Sequence, residues 1–177
     1  MVYYYTSTKT DPPSVVYMGK DKYENEDLIK HGWDQDIWFH VDNLSSAHVY
    51  LRMNEGMVWD NLPEELLEDL AQLVKANSIE GNKKDNITVI YTPWSNLFKN
   101  AGMATGQVSF KSRNKVKKVF VKTKTNSIVN RLNKTKVESY DYVFSKANMK
   151  SNKKVENDLF DDDDDNYPGG NDFDDFF

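Results

Sequence analysis

The first half of the chain carries short apolar runs separated by turn residues, a pattern that predicts a β-rich fold. Residues 2–6 and 15–18 are β-branched and aromatic, and the turn-forming Asp11-Pro12-Pro13 lies between them. Residues 37–41 and 47–53 are two further strand signals. The polar Asn43-Leu44-Ser45-Ser46 between the last two predicts a hairpin.

The apolar pattern continues through the second half of the folded region. Residues 87–92 are almost continuously apolar and stop at Pro93, as expected of a buried strand. Residues 107–110 and 116–121 predict two strands joined by a polar turn at residues 111–115. The strand signals therefore predict a mainly antiparallel sheet.

Helical signals lie between these strands. Asp21, followed three residues later by Glu24, forms a capping-box pattern and predicts a helix over about residues 22–30. Pro63 suits the first turn of a second helix, which Gly81 ends, and its apolar residues recur at helical spacing: Leu66, Leu67, Leu70, Leu73 and Val74. A weaker pattern predicts a third helix over residues 126–137. The fold class is therefore predicted as α+β, an antiparallel sheet with two or three packed helices.

The C-terminal region differs in composition from the rest of the chain. After Glu138 the apolar pattern ends, so we predict one domain over residues 1–138 and a polar linker with an acidic, disordered tail over residues 139–177. Of the 28 acidic residues, ten lie from Glu156 onward, where Lys and Arg are absent. Residues 1–155 thus hold 18 acidic and 23 basic residues, which predicts a basic surface beside an acidic tail that competes for it.

Composition excludes several classes of protein. The chain has no cysteine, which rules out a disulfide scaffold, a thiolate zinc site and a cysteine nucleophile. Its first ten residues lack the pattern of a signal peptide, and no run approaches the roughly 20 apolar residues of a membrane span. We therefore expect a cytoplasmic protein, with the nucleus as the alternative.

The sequence contains no catalytic constellation. Gly19-Lys20 lacks the earlier glycine and the following Ser or Thr of a phosphate-binding P-loop. No serine has the flanking residues of a nucleophile elbow, and three histidines leave little for a triad. We expect no enzymatic activity, no catalytic residues, no cofactor and no metal.

Two histidines, His40 and His48, lie on the predicted hairpin. Opposed residues of an antiparallel pair have a constant index sum, so these two face each other only if the loop has an odd number of residues. The four-residue loop 43–46 therefore predicts that their rings lie on opposite faces, as structural histidines. The alternative, a metal- or histidine-dependent hydrolase, ranks well below this structural interpretation of the two histidines.

The strongest candidate for a binding surface is the segment 111–136, which carries ten basic residues and no acidic one. Strand alternation puts Lys118, Phe120 and Lys122 on one face, where cations contact phosphates and an exposed ring stacks on a base. A solvated face with Phe120 buried is the alternative. The predicted nucleic-acid-binding residues are Lys111, Arg113, Lys115, Lys117, Lys118, Phe120, Lys122, Lys124, Arg131 and Lys134.

An ordered series of segments resembles the NFACT-R domain family, and within it the branch in which this domain stands alone. The series covers residues 1–138 and includes residues 19–33, 36–42, 44–51, 73–79, 89–97, 106–108 and 132–138. The family positions that carry over are Gly19, Lys20, Asn25, Asp36, Trp38, His40 and His48. Residues 139–177 depart from that branch, since they lack its long charged helix.

The resemblance implies RNA binding near the translation machinery, with tRNA, ribosomal RNA or the ribosome as partner, and no enzymatic activity. Charge alone does not distinguish RNA from DNA. A protein–protein adaptor that acts through the acidic tail is the second hypothesis. Salt dependence discriminates the two, because binding to phosphates weakens steeply as salt is added.

Overall fold

The computed structural model describes residues 1–139, which form a seven-stranded antiparallel sheet with helices on both faces. In chain order its strands are β1 (Val2–Ser7), β2 (Ser14–Gly19), β3 (Asp36–Val41), β4 (Val49–Arg52), β5 (Ile87–Pro93), β8 (Lys117–Val121) and β9 (Val137–Ser139). Across the sheet the order is β8-β5-β3-β4-β2-β1-β9. Strands β6 (Leu97–Phe98) and β7 (Ser109–Phe110) form a separate two-stranded ladder. The basic strand β8 is thus an edge of the large sheet.

Three helices pack on this sheet: α1 (Lys22–His31), α2 (Glu64–Ala76) and α3 (Asn126–Asn133). The carboxylate of Asp21 accepts a hydrogen bond from Glu24 N at 3.0 Å, which is the predicted N-cap. The α+β fold class is confirmed. None of the three helices in this part of the chain has the length and apolar character needed to cross a membrane.

Strand alternation divides the core into two layers. Ile37, Phe39 and Val41 point toward α2 and belong to the larger cluster, with Leu66 and Leu70 of that helix. On the opposite face, Trp38, Tyr50 and Tyr17 pack with Leu28 of α1 and with Phe110 of β7. The second face is the one that Lys118 and Phe120 share, since β8 pairs with β5 in register.

Two details of the predicted topology are wrong. The strands at residues 107–110 and 116–121 do not pair with each other, because β7 pairs with β6 and β8 pairs with β5. Between them the buried Asn96 side chain binds both backbone groups of Ser112, each at 2.9 Å, and so holds the chain where it passes from one ladder to the other.

The third helix is also shorter than predicted. It ends at Asn133, and Val137–Ser139 forms β9, which pairs with β1. Residues 137–139 pair with the edge of β1 because this pairing satisfies backbone hydrogen-bonding groups of both strands. A short amphipathic pattern in the sequence does not reveal such a distant partner. The proposed tail lies outside the described residues.

Candidate nucleic-acid interface

Most of the predicted basic contacts lie on the surface around β8. The exposed members near β8 are Arg113, Lys115, Lys117, Lys118, Lys122 and Lys124. Two further exposed lysines lie elsewhere. Lys111 directly follows β7, and Lys134 follows α3 beside Thr135, which accepts a hydrogen bond from Thr6 N of β1 near the opposite end of the sheet. Long cationic side chains on an edge strand also block pairing with the edge of another sheet, so their position alone has a structural explanation. A binding function for these residues must therefore be argued from the neighbouring side chains as well.

Arg131 differs from the others, because it has a carboxylate partner inside the domain. Its guanidinium donates to both carboxylate oxygens of Asp69, at 2.8 and 2.9 Å, and Ser7 Oγ donates to the same carboxylate at 2.7 Å. These contacts join α3 to α2 and β1, and the hydrogen bond to Asp69 raises the pKa of Arg131. The contact of Arg131 with Asp69 therefore stabilises the packing of the domain.

Phe120 is exposed rather than buried. Its side chain is 63% accessible, whereas Val121 beside it is buried against the larger core. The register places Phe120 opposite Thr88 and Lys118 opposite Ile90. An exposed aromatic ring flanked by cations is therefore present on β8.

The structure adds two lysines that the sequence argument missed. Asn86 N donates to Lys122 O at 2.8 Å, and Lys124 Nζ donates to Asn82 Oδ1 at 3.2 Å. These bonds bring the 82–86 loop, with exposed Lys83 and Lys84, beside the end of β8. In the sequence, Lys83 and Lys84 form a basic turn just before β5. They could be assigned to this surface only with the knowledge that β5 pairs with β8.

Acidic side chains of α2 lie beside the same strand. A groove of about 620 Å³ between β8 and α2 is lined by Glu64, Glu65 and Glu68 on the helix and by Lys118 and Lys122 on the strand. The glutamates disfavour an anion within the groove. Phe120 lines this groove as well, although strand alternation turns its side chain, with those of Lys118 and Lys122, toward the face opposite α2.

The expectation that His40 and His48 lie on opposite faces is wrong. The index sum of the β3–β4 register is 88, an even number, and the ring centroids of the two histidines are 5.0 Å apart. The physical reason is that the connection is longer than a four-residue turn. Asn43 adopts a positive φ of 64°, and Ser46 Oγ accepts a hydrogen bond from Val41 N before β4 begins at Val49.

Trp38 fixes the two imidazoles. Its Nε1 donates to His48 Nδ1 at 3.2 Å, so neutral His48 carries its proton on Nε2. The Trp38 ring also stacks on that of His40 at 5.0 Å. Burial lowers the pKa of His40 to about 4 and that of His48 well below its ordinary value, with His40 and Lys99 adding to the second effect.

These shifts predict an acid-dependent loss of stability. Between pH 6.5 and about 4 the unfolded chain protonates His40 whereas the folded chain does not. The free energy of unfolding should therefore fall as the pH is lowered through this window, by about 1–3 kcal/mol for His40. Urea denaturation of the wild type and of His40→Gln at pH 7, 6, 5 and 4.5 measures this, and the variant should show the flatter profile. Equal slopes in the two proteins would assign the effect to other groups.

Other family positions also have packing roles. A Cβ at Gly19 would lie 2.5 Å from Asn25 Oδ1, so the close approach of α1 to the end of β2 requires glycine. Asn25 is fully buried at this contact, while Lys20 is exposed. These residues thus set the position of α1 on the sheet.

Asp36 is the centre of a buried ion pair. Its carboxylate accepts two hydrogen bonds from Arg52 at 2.7 Å, one from Tyr17 Oη at 2.5 Å and one from Trp33 N at 2.9 Å. Arg52 also lies 4.0 Å from the centre of the Trp33 ring. Burial, and after it the Asp36 carboxylate, raises the pKa of Tyr17 well above its ordinary value.

Metal binding has no geometric support in the part of the chain that the structure describes. Within residues 1–139, His, Asp and Glu side chains do not come together in groups of three or more that could hold an ion. The imidazole pair of His40 and His48 has no third ligand there.

The fold and this surface define an α+β domain with an antiparallel sheet and a cationic edge strand. The family model described as NFACT protein RNA binding domain matches residues 1–112, and the chain belongs to this family. The family suggests RNA binding.

Curated relatives agree with this assignment, and a solved structure is similar in fold. Coiled-coil domain-containing protein 25 of Danio rerio is 61% identical over 140 residues, which cover 79% of this chain and 68% of the relative. Protein JLP2 of Saccharomyces cerevisiae is 44% identical over 163 residues, covering 89% and 77%. The C-terminal structure of the fibronectin/fibrinogen-binding protein from Streptococcus suis is similar in fold, with a TM-score of 0.60 and 22% identity. The match covers 73% of this chain and about half (47%) of that one.

Proposed function

We propose that this protein binds RNA, without catalysis, through the surface formed by β8, the turn before it and the 82–86 loop. The observation that carries the proposal is the clustering of exposed lysines around an edge strand that also presents an exposed aromatic ring. Lys83 and Lys84 add to the cluster from a distant part of the sequence. Family membership favours RNA as the ligand, with tRNA or ribosomal RNA as the first candidates.

The charge of the surface supports phosphate binding in particular. Residues 111–136 hold ten cations and no acid, and Arg131 is the one of these with an ion pair among the described contacts. Since soluble surfaces usually mix the two signs, such a segment favours a polyanionic ligand.

Salt dependence tests this proposal. Filter binding of the full chain to a tRNA, measured from about 50 to 300 mM salt, should give a linear plot of log K against log salt, with a slope of several units. Lys122→Gln should flatten the slope by about one unit. Lys9→Gln, which removes an exposed lysine in the β1–β2 loop, is the matched control and should leave it unchanged. A slope near zero, or equal effects of both variants, would contradict the proposal.

A further inference from the structure

The surroundings of Phe120 restrict the kind of nucleic acid that this surface fits. Its ring is 63% accessible and lies on the face of β8 that it shares with Lys118, with Lys122 two positions further along. Alternation along a strand places three such side chains about 7 Å apart. A cation therefore stands on each side of an exposed aromatic face.

The neighbouring strand extends this face into a small shelf. Thr88 lies opposite Phe120 and is half-buried, and Ile90 lies opposite Lys118 and is 8% accessible. The next strand continues the row with His40, which faces Ile90. Ile90 is buried in the second core layer, so the half-buried Thr88 is the neighbour that lies beside the ring, and its hydroxyl can donate to and accept from the edge of a base.

The backbone of β8 adds donors at the outer edge. Asn86 N donates to Lys122 O, so residues 86 and 122 are a hydrogen-bonded pair. Because such pairs alternate in an antiparallel ladder, the backbone groups of Phe120 point toward β5, and those of Val119 and Val121 point outward.

These features fit an unpaired strand better than a duplex. In a duplex, successive bases stack about 3.4 Å apart, and both faces of each base are covered by its neighbours. An A-form RNA helix presents phosphates and the shallow minor groove, where a ring such as Phe120 finds no free base face. Aromatic platforms between cations are the usual device for binding single strands.

We propose that the ligand of this surface is a single-stranded stretch of RNA, with one base stacked on Phe120 and the flanking phosphates on Lys118 and Lys122. This inference rests on the proposed function and narrows it to unpaired nucleotides. Loops and single-stranded ends of folded RNA are then the elements that the domain recognises.

A comparison of single and double strands tests the inference. The probe is a 12-nucleotide RNA with one central 2-aminopurine, used alone and annealed to its complement, with the full chain at a fixed salt concentration. We expect the single strand to bind at least about tenfold more tightly, and the 2-aminopurine fluorescence to fall on binding as its base stacks. Phe120→Leu should weaken binding of the single strand about 5- to 50-fold, leave the salt slope unchanged and abolish the fluorescence change.

Tyr23→Leu is the matched control, because Tyr23 is 66% exposed but lies on α1, which is outside the proposed surface. It should bind like the wild type, and thermal melting should show both variants folded. Equal affinity for both forms of the probe, together with wild-type behaviour of Phe120→Leu, would overturn the inference and leave the proposed function intact if Lys122→Gln still flattens the salt slope. Loss of that lysine dependence would overturn both.

Discussion

Replacing Asp36 with asparagine should lower the free energy of unfolding by about 3–5 kcal/mol, because it leaves the Arg52 guanidinium buried without its counter-charge. Both side chains are at most 5% accessible, so water does not compensate the loss. Asparagine also has one oxygen fewer for the bonds from Arg52, Tyr17 and Trp33. For a domain of this size the melting temperature should fall by about 10–15 °C.

Urea denaturation followed by circular dichroism measures this effect. Asp34→Asn, two residues earlier and exposed, is the control and should change the free energy of unfolding by less than about 0.5 kcal/mol. The double variant Asp36→Leu/Arg52→Met should be more stable than Asp36→Asn, since it removes both charges. If Asp36→Asn unfolds like the wild type, the ion pair does not hold β3, β4 and the Trp33 turn together.

Reversing the charge of Lys117, Lys118 and Lys122 should nearly abolish RNA binding. Each phosphate contact with a single strand contributes about 0.7 to the salt slope, or about fivefold in affinity at 0.1 M salt relative to 1 M. Loss of three contacts should therefore weaken binding about 100-fold, and the repulsion from three glutamates adds to this. Filter binding with the triple Lys→Glu variant measures the effect.

The glutamates of α2 beside β8 make a second, uncharged variant necessary. Glu64, Glu65 and Glu68 line the groove beside β8, so three further glutamates there also repel within the folded domain. A triple Lys→Gln variant removes the cations without this repulsion, and it should fold normally and still lose most of its affinity. If the Gln variant is folded and binds RNA as well as the wild type, these lysines form only a solvated face.

The sequence predicted the elements of the fold more successfully than their partners. Local signals placed α1, α2 and the six strands β1 to β5 and β8, because capping, apolar periodicity and β-branched runs are short-range. Pairing between distant segments is not encoded locally. The partner of β8 and the pairing of β9 with β1 could therefore not be derived from spacing.

In the candidate site, too, the sequence predicted local features but not tertiary contacts. The acid-free segment identified the exposed lysines of β8, but the pairing of Arg131 with Asp69 and the approach of Lys83 and Lys84 depend on tertiary contacts. The error for His40 and His48 arose because a loop length was read from composition. Asn43 in the left-handed region and the Ser46 hydroxyl lengthen the connection and restore an even register.

The pairing of β9 with β1 has a consequence for how the domain folds. Tyr4 and Val137 are paired although 133 positions separate them, whereas β1 and β2 pair through a short hairpin. Forming so distant a contact has a large loop-closure entropy, and the sheet from β1 to β8 can assemble first. During synthesis, the edge of β1 stays open until residues 137–139 have left the ribosome, so we expect the docking of β9 to be a late step that covers this edge of β1.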